Sequence, residues 1–151
     1  MNTSIQVQRV GHVVLNVRAL GPAIQFYAQM LGLREVGRYG ADMVFFSATG
    51  ENHHDIALRE VGAAAHAGGY DDVGLCHVAL KIGNGLDTLR AAHAQLRQAG
   101  VPIRRIENHR VSQSIYITDP DGNEIELYVD DDPRIWREDP SACASVAPLE
   151  L

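Results

Sequence analysis

One seven-residue string occurs twice in the chain with its chemistry preserved. "GHVVLNV" (Gly11 to Val17) returns as "CHVALKI" (Cys76 to Ile82), each with histidine in second place and alternating β-branched or apolar residues behind it. Such alternation marks a half-buried strand. The segments downstream of the two copies correspond as well. Pro22 suits the first position of a helix whose apolar stripe is Ile24, Tyr27 and Leu31, and Gly32 ends it. After the second copy Asn84 can cap a helix, with Leu86, Leu89 and Leu96 on one face and Gly100 as its stop. Three strands are expected behind each helix, at about residues 33–38, 43–47 and 55–61, then 101–107, 112–118 and 124–129. "DPDG" (Asp119 to Gly122) is a tight-turn signal between the last two.

Each half therefore reads β-α-β-β-β, which predicts the α+β class. A four-stranded sheet has an apolar face that must be covered, and pairing the halves covers it. Helices are expected outside, and the joined mixed sheets are expected to form a cup. A chain of 151 residues fits one domain. Within it, module one spans about 9–61, the linker "GAAAHAGGYDD" 62–72, module two about 73–129 and a tail without strong periodicity 130–151.

Composition removes several function classes. A hydrophobic content of 46% argues against disorder. No apolar run approaches the roughly 20 residues that span a bilayer, so no membrane partner is expected. "MNTSIQVQRV" lacks the basic-then-apolar build of a signal peptide. Cys76 and Cys143 form neither a metal-binding pair by spacing nor a disulfide framework, so a reduced, cytoplasmic protein is expected. With a net charge of −6 and scattered basic residues, nucleic acid is not an expected partner.

The seven histidines carry most of the remaining information. His12 and His77 hold corresponding places in the repeat, and strand alternation puts them on the faces of Val14 and Ala79. Glu126 sits in the apolar context "IELY", where an unpaired carboxylate is costly and a metal cation is a usual remedy. Two imidazoles and one carboxylate bind a divalent first-row metal on one side and leave its other positions open. A single strand histidine is more often a packed or surface residue, and a glutamate on an edge strand is usually solvated. The corresponding placement within a duplicated unit is what favours ligation.

"HHDIAL" and "NEIELY" align so that Ala57 stands where Glu126 does. A methyl group cannot coordinate, so the site reads as three protein ligands with positions left for small molecules, unlike a closed structural site. His54 can serve as an acid/base beside the metal, provided it lies at the hairpin entrance or on a bulge. On a regular strand it would face away from Ala57, and parity alone favours His53. His109 and Tyr116, in "NHRVSQSIY", are polar groups able to orient a substrate oxygen. A tyrosine taken singly is more often a core residue with a wet hydroxyl.

"GHVVLNV", "HHDIAL", "GLCHVAL" and "NHRVSQSIYITDPDGNEIELY" together resemble the vicinal oxygen chelate superfamily, which includes glyoxalases, bleomycin-resistance proteins and dioxygenases. Within it they are similar to the type I extradiol, catechol 2,3-dioxygenase-like enzymes in a short two-module form, from about Arg9 to Trp136. The resemblance implies a metal triad of His12, His77 and Glu126, and it places the acid/base on His54, followed by Asp55, rather than on His53. His109 and Tyr116 fall on the histidine and tyrosine that stand behind the ligands in this family, though more closely spaced than in the larger, four-module enzymes.

The implied activity is oxidative ring cleavage of a catechol-type aromatic vicinal diol by O2 in aromatic catabolism. Fe(II) is the implied cation and Mn(II) the alternative. His54 would protonate reduced oxygen during ring opening, Tyr116 would hydrogen-bond a substrate oxygen, and His109 would steer that network. Modules in this superfamily pair within or between chains, and a homo-oligomer is expected. The rivals are a glyoxalase-like lyase or isomerase, a thiol transferase and a drug-binding protein without catalysis. The first usually uses four protein ligands, against Ala57. The second needs cations around a phosphonate, and Lys81 is the one lysine in the chain. The third needs no metal ligands.

Overall fold

The computed structural model describes residues 5–69 and 71–151, so the start of "MNTSIQVQRV" and Tyr70 of the glycine-rich linker lie outside the described residues. The chain divides into two compact units, Met1–Ala67 and Gly68–Leu151.

In the first unit, β1 (Val13–Val17) runs parallel to β4 (Ile56–Glu60). Antiparallel β3 (Met43–Ser47) and β2 (Arg34–Tyr39) complete a four-stranded sheet in the order β1-β4-β3-β2. The strand alternation is real: Leu15, Val17, Val44, Phe46, Ile56 and Leu58 are buried, whereas Val14 is exposed.

The connecting helix α1 (Leu20–Ile24) differs from the expectation in two ways. It begins two residues before Pro22, which costs little because the first-turn N–H groups have no intrahelical partner. It also widens over Gln25–Met30 into π-type turns, where the Leu31 amide donates to the Phe26 carbonyl five residues back at 3.0 Å. The buried face is consequently Leu20, Ala23 and Tyr27, with Ile24 and Leu31 only half-buried.

The second unit repeats the plan. β5 (His77–Asn84) is parallel to β8 (Glu124–Asp130), followed by antiparallel β7 (Ser112–Thr118) and β6 (Ile103–Asn108). α2 (Leu86–Gln98) packs on β5, β7 and β8. Leu89 and Leu96 are buried there, as are Val78, Ile115, Ile117, Ile125, Leu127 and Val129. Asn84 does not cap α2; it ends β5, and Gly85 holds the capping place without a side-chain bond. Gly32 and Gly100 do stop their helices, with left-handed φ of 73° and 70° that other residues adopt at a cost. "DPDG" forms its turn around Asp119, whose Oδ1 accepts from the amides of Asp121 at 2.9 Å and Asn123 at 2.8 Å.

The two sheets share one register. Val14 pairs with Ala57 in the first, and Ala79 pairs with Glu126 in the second. The duplication seen in the letters is thus a duplication of backbone pairing. The tail adds what the repeat does not predict: α3 (Arg134–Glu138), a 3-10 turn over Pro140–Ala144 and a two-residue β9 (Ala147–Pro148). β9 pairs antiparallel with β6 and makes the second sheet five-stranded, in the order β5-β8-β7-β6-β9. Two residues are too few to show a period.

At the end of the first sheet, Asn52 ties two segments together. Its Nδ2 donates to the Gly11 carbonyl and the His54 carbonyl, each at 2.7 Å, and its Oδ1 accepts from the His53 amide at 3.0 Å. Asn52→Ala removes these three bonds and a fourth, from Nδ2 to Asp55 Oδ1 at 3.3 Å. It is expected to lower stability by about 1–3 kcal/mol and to speed hydrogen exchange at the Val13 amide, which donates to the Asp55 carbonyl next to the clamp at 3.0 Å. In the second unit, Leu89 is fully buried. Leu89→Ala is expected to cost about 2–5 kcal/mol, read as a lower urea midpoint at unchanged slope.

Candidate functional site

Ser114 and Tyr116 on β7 share one face of the second sheet with Glu126 on β8, and the buried charge on that face is met by polar partners. Glu126 is 8% exposed. One of its oxygens, Oε1, accepts from the Ser114 hydroxyl at 2.6 Å, and the other, Oε2, lies 3.0 Å from His77 Nε2. His77 and Glu126 come from the parallel β5–β8 pair, in which His77 sits opposite Glu124 and the next residue on that face, Ala79, sits opposite Glu126.

The separation has a chemical meaning. Ligand bonds of about 2.1 Å at right angles place neighbouring donor atoms about 3.0 Å apart. The 3.0 Å between His77 Nε2 and Glu126 Oε2 therefore fits one edge of a first-row metal's coordination sphere. His77 Nδ1 is buried and has no hydrogen-bond partner among the described residues, a deficit that itself calls for a further group at this ring. Cys76, His77 and Glu124 also offer ligand atoms within 4.8 Å of one another. That alternative is weaker, because both Glu124 oxygens are taken by the Arg105 guanidinium at 2.8 Å each. The same fork holds the Glu124 carboxyl below the usual range against the opposing effect of burial.

Tyr116 stands beside the pair, directly across from Glu126 on β7, with its ring edge-on to His77 at 5.7 Å between centroids. The Arg105 guanidinium covers the Tyr116 ring at 3.6 Å. The phenol is pushed up to about 12, first by burial and then by the charges of Glu126 and Glu107, against the pull of Arg105. Its hydroxyl meets His109 Nε2 at 2.9 Å, and His109 Nδ1 lies 3.1 Å from the Ser145 carbonyl. A cavity of about 380 Å³ opens nearby between Asn108, Arg110, Asp131, Ile135 and the tail residues Ser145 to Ala147, and none of the sequence-predicted site residues lines it.

The first unit carries the other candidates. His12 lies immediately before β1, and His54 lies two residues before β4, outside the regular strand. This removes the parity objection to His54, since chain that is not yet strand need not alternate. The structure gathers His12, His53 and His54, with ring nitrogens within 4.8 Å of one another. Ring centroids are 4.1 Å apart for His12–His54, 5.9 Å for His12–His53 and 4.4 Å for His53–His54. Phe45 packs edge-on against His54 at 5.0 Å, leaving His53 the more exposed of the pair. The His54 imidazole is lowered from its ordinary value, first by desolvation and then by His12 and His53. Ala57 is fully buried and paired to Val14 and Phe45, so the counterpart of Glu126 offers only a methyl group.

His77, Glu126, Tyr116 and His109 are thus gathered in the second unit, and His12, His53 and His54 in the first. Sequence reasoning missed Asn52, Ser114, Arg105 and the Ser145 carbonyl. Ser114 had a signal, since it lies two residues from Tyr116 and so shares its strand face. A backbone carbonyl in an aperiodic tail had none.

Residues 9–127 match the family described as the Glyoxalase/Bleomycin resistance protein/Dioxygenase superfamily. The chain is 35% identical over 127 residues to a biphenyl-2,3-diol 1,2-dioxygenase from Rhodococcus globerulus, covering 81% of this chain and 63% of the relative. It is 29% identical over 130 residues to the catechol-2,3-dioxygenase of Bacillus subtilis, covering 86% of this chain and 44% of the relative. The chain therefore spans less than two thirds of the length of these two relatives. A solved glyoxalase/bleomycin resistance protein/dioxygenase domain from Frankia sp. superposes with a TM-score of 0.70 at 21% identity, over 85% of this chain and 96% of that one. Matched along most of its length and folded into two modules of this kind, the chain belongs to the Glyoxalase/Bleomycin resistance protein/Dioxygenase superfamily.

Proposed function

We propose that the protein is an extradiol ring-cleaving dioxygenase for a catechol-type aromatic diol, and that it acts as a single two-module domain. The reading is carried by the His77–Glu126 donor pair at 3.0 Å, flanked by the Tyr116–His109 contact at 2.9 Å. His12, His77 and Glu126 are proposed as the metal ligands. The relatives named as dioxygenases for biphenyl-2,3-diol and catechol support the substrate class. Fe(II), when bound, would supply a Lewis acid that lowers the diol's pKa and a route for electrons from diol to O2.

The chain's own residues would handle orientation and protons. Ser114 fixes one Glu126 oxygen and so leaves Oε2 as the ligand atom. His54, with its basicity reduced, is neutral at neutral pH and can take a proton from a substrate hydroxyl and return it as the ring opens. Tyr116 stays protonated through the physiological range and can hydrogen-bond a substrate oxygen, with His109 setting its orientation. The overall balance is diol plus O2 giving a ring-opened acid semialdehyde that retains both oxygen atoms. No external reductant is consumed.

Anaerobic reconstitution with Fe(II), followed by oxygen uptake with a panel of catechols, tests the reading. Equimolar uptake and a yellow product are expected; metal binding well below one equivalent, or no uptake with any diol, overturns it. Glu126→Gln is expected to lose Fe(II) binding by about 10-fold or more, because a carboxylate ligand becomes a neutral amide. His54→Gln is expected to keep the metal and lower kcat by about 10²–10⁴.

The phenol also predicts a stability window. Its folded value of about 12 lies above the ordinary value of 10, so between those pH values the unfolded chain gives up a proton that the folded chain keeps. The Tyr116 contribution to stability is therefore complete below pH 10 and is lost as pH rises through about 12. Ultraviolet titration of the wild type against Tyr116→Phe should show one tyrosinate fewer in the variant only near that upper value.

A further inference from the structure

The tail that the repeat does not predict touches the proposed chemistry at one atom. His109 is held between two neighbours, its Nδ1 at 3.1 Å from the Ser145 carbonyl and its Nε2 at 2.9 Å from the Tyr116 hydroxyl. A carbonyl oxygen only accepts. In a neutral ring the proton must therefore sit on Nδ1, which leaves Nε2 as a lone pair. The Tyr116 hydroxyl must then donate to His109. Tyr116 stands directly across the ladder from Glu126, so the carboxylate is the other acceptor on its strand face. If the imidazole carried its proton on Nε2 instead, that N–H would face the tyrosine oxygen, and the hydroxyl would turn to Glu126.

We propose that the carboxy-terminal tail selects the Nδ1–H form of His109 and thereby aims the Tyr116 hydroxyl away from Glu126. The tail is built to hold that carbonyl in place. β9 pairs with β6, placing Ala147 opposite Asn108 and Pro148 opposite Glu107, and the Leu149 amide donates to the Ile106 carbonyl at 3.2 Å. On the other side of Ser145, Ala142 is buried, and Asp139 caps the 3-10 turn through the Ser141 amide at 3.2 Å. Arg110 reaches Asp139 at 3.4 Å from the loop that carries His109. That loop is shaped by Arg110 at φ 67°, with its amide bound to Asn108 Oδ1 at 2.7 Å and the His109 amide bound to the Ser112 carbonyl at 2.8 Å.

The competing influence on the ring is Glu107. Its Oε2 lies 3.6 Å from His109 Nε2 and would favour a proton there, but the same oxygen accepts from Arg105 Nε at 3.3 Å. At 3.6 Å it is outside hydrogen-bond range. The Ser145 carbonyl is the nearer partner.

The assignment of the tautomer stands on this geometry alone; its consequence for turnover rests on the proposed dioxygenase reading. Ser145 acts through another residue and is a positioning residue. It does so by its backbone, so Ser145→Ala should behave as the wild type. Ending the chain after Ala144 removes the carbonyl, and Leu149→Pro removes one rung that anchors it while keeping the full chain.

Long-range 1H–15N correlation on 15N-histidine protein, at about pH 8 where an ordinary imidazole is neutral, reads the ring state directly, with His109 assigned from the signals missing in His109→Asn. The wild type and Ser145→Ala are expected to show Nδ1 protonated and Nε2 unprotonated. The truncated chain and Leu149→Pro should both shift toward Nε2–H. A wild-type His109 already carrying its proton on Nε2, or protonated on both nitrogens, overturns the proposal. So does a Leu149→Pro ring indistinguishable from wild type, and this arm decides the matter should the truncated chain fail to fold.

In the reconstituted enzyme, Leu149→Pro should lower kcat several-fold at unchanged iron content, and should lower it no further in a His109→Asn background. An additive loss in that background also overturns the proposal. If the tautomer responds as expected in a protein that oxidises no diol, the dioxygenase reading falls and the tail's hold on His109 stands.

Discussion

A carboxylate buried in the face of a β-sheet is the constraint around which the second unit is arranged. Glu126 stands on a strand whose neighbours Ile125 and Leu127 are buried, and an unpaired charge there would cost several kcal/mol. The sheet meets the cost through two partners. Ser114 satisfies one oxygen and His77 approaches the other, while Tyr116 across the ladder presents a phenol that burial and this same charge keep protonated. Arg105 is held by the bidentate grip of Glu124 and lies over the Tyr116 ring. Of two acidic residues on one strand face, one is given to arginine and the other is left to histidine.

The two units show how far a common backbone can serve different chemistry. Register is the same in both, yet the residues at the corresponding places diverge in pairs. Ala57 replaces Glu126, and Asp55 stands where Glu124 does. In the first unit Asp55 turns its carboxylate to the loop, accepting from the Ala48 amide at 2.8 Å and the Ser47 hydroxyl at 3.3 Å. The Ala48 bond first, then those from Asn52 and Ser47, hold its carboxyl below the usual range against the opposing effect of burial. The first unit thus carries imidazoles where the second carries carboxylates. Histidines just outside the regular strands gather there, with Asn52 bonding the backbone of His53 and His54 and the Gly11 carbonyl just before His12.

Most of the architecture was legible because it rests on period. Strand alternation gave all eight long strands to within a residue or two, and β3 and β7 at their observed bounds. Glycine stops and the "DPDG" turn were equally readable, being local backbone preferences. What escaped depended on tertiary context. The π-type widening of the first helix moves the buried stripe from Ile24 and Leu31 to Leu20 and Ala23, and no residue in "AIQFYAQM" announces it. β9 exists only because β6 offers a free edge. For the site, the repeat singled out His12, His77 and the Ala57–Glu126 contrast, since duplication supplies its own comparison. It could not separate His53 from His54, because that choice turns on where the strand begins.

Hydrogen bonds in the second unit also carry direction, and that direction is fixed at a place remote in sequence. A carbonyl cannot donate, so the run from Ser145 through His109 to Tyr116 can point only one way while the ring is neutral. The groups at the other end of the run are the reverse case: Glu126 accepts from Ser114 and stands directly across the ladder from Tyr116, a second potential donor. A second donor would draw charge from the carboxylate and weaken it as a ligand. In the proposed arrangement, a phenol kept turned toward His109 would protect the donor strength of Glu126. On this view the extra strand at the sheet edge and the buried carboxylate belong to one polar network, although Glu126 and Ser145 lie 19 positions apart in the chain.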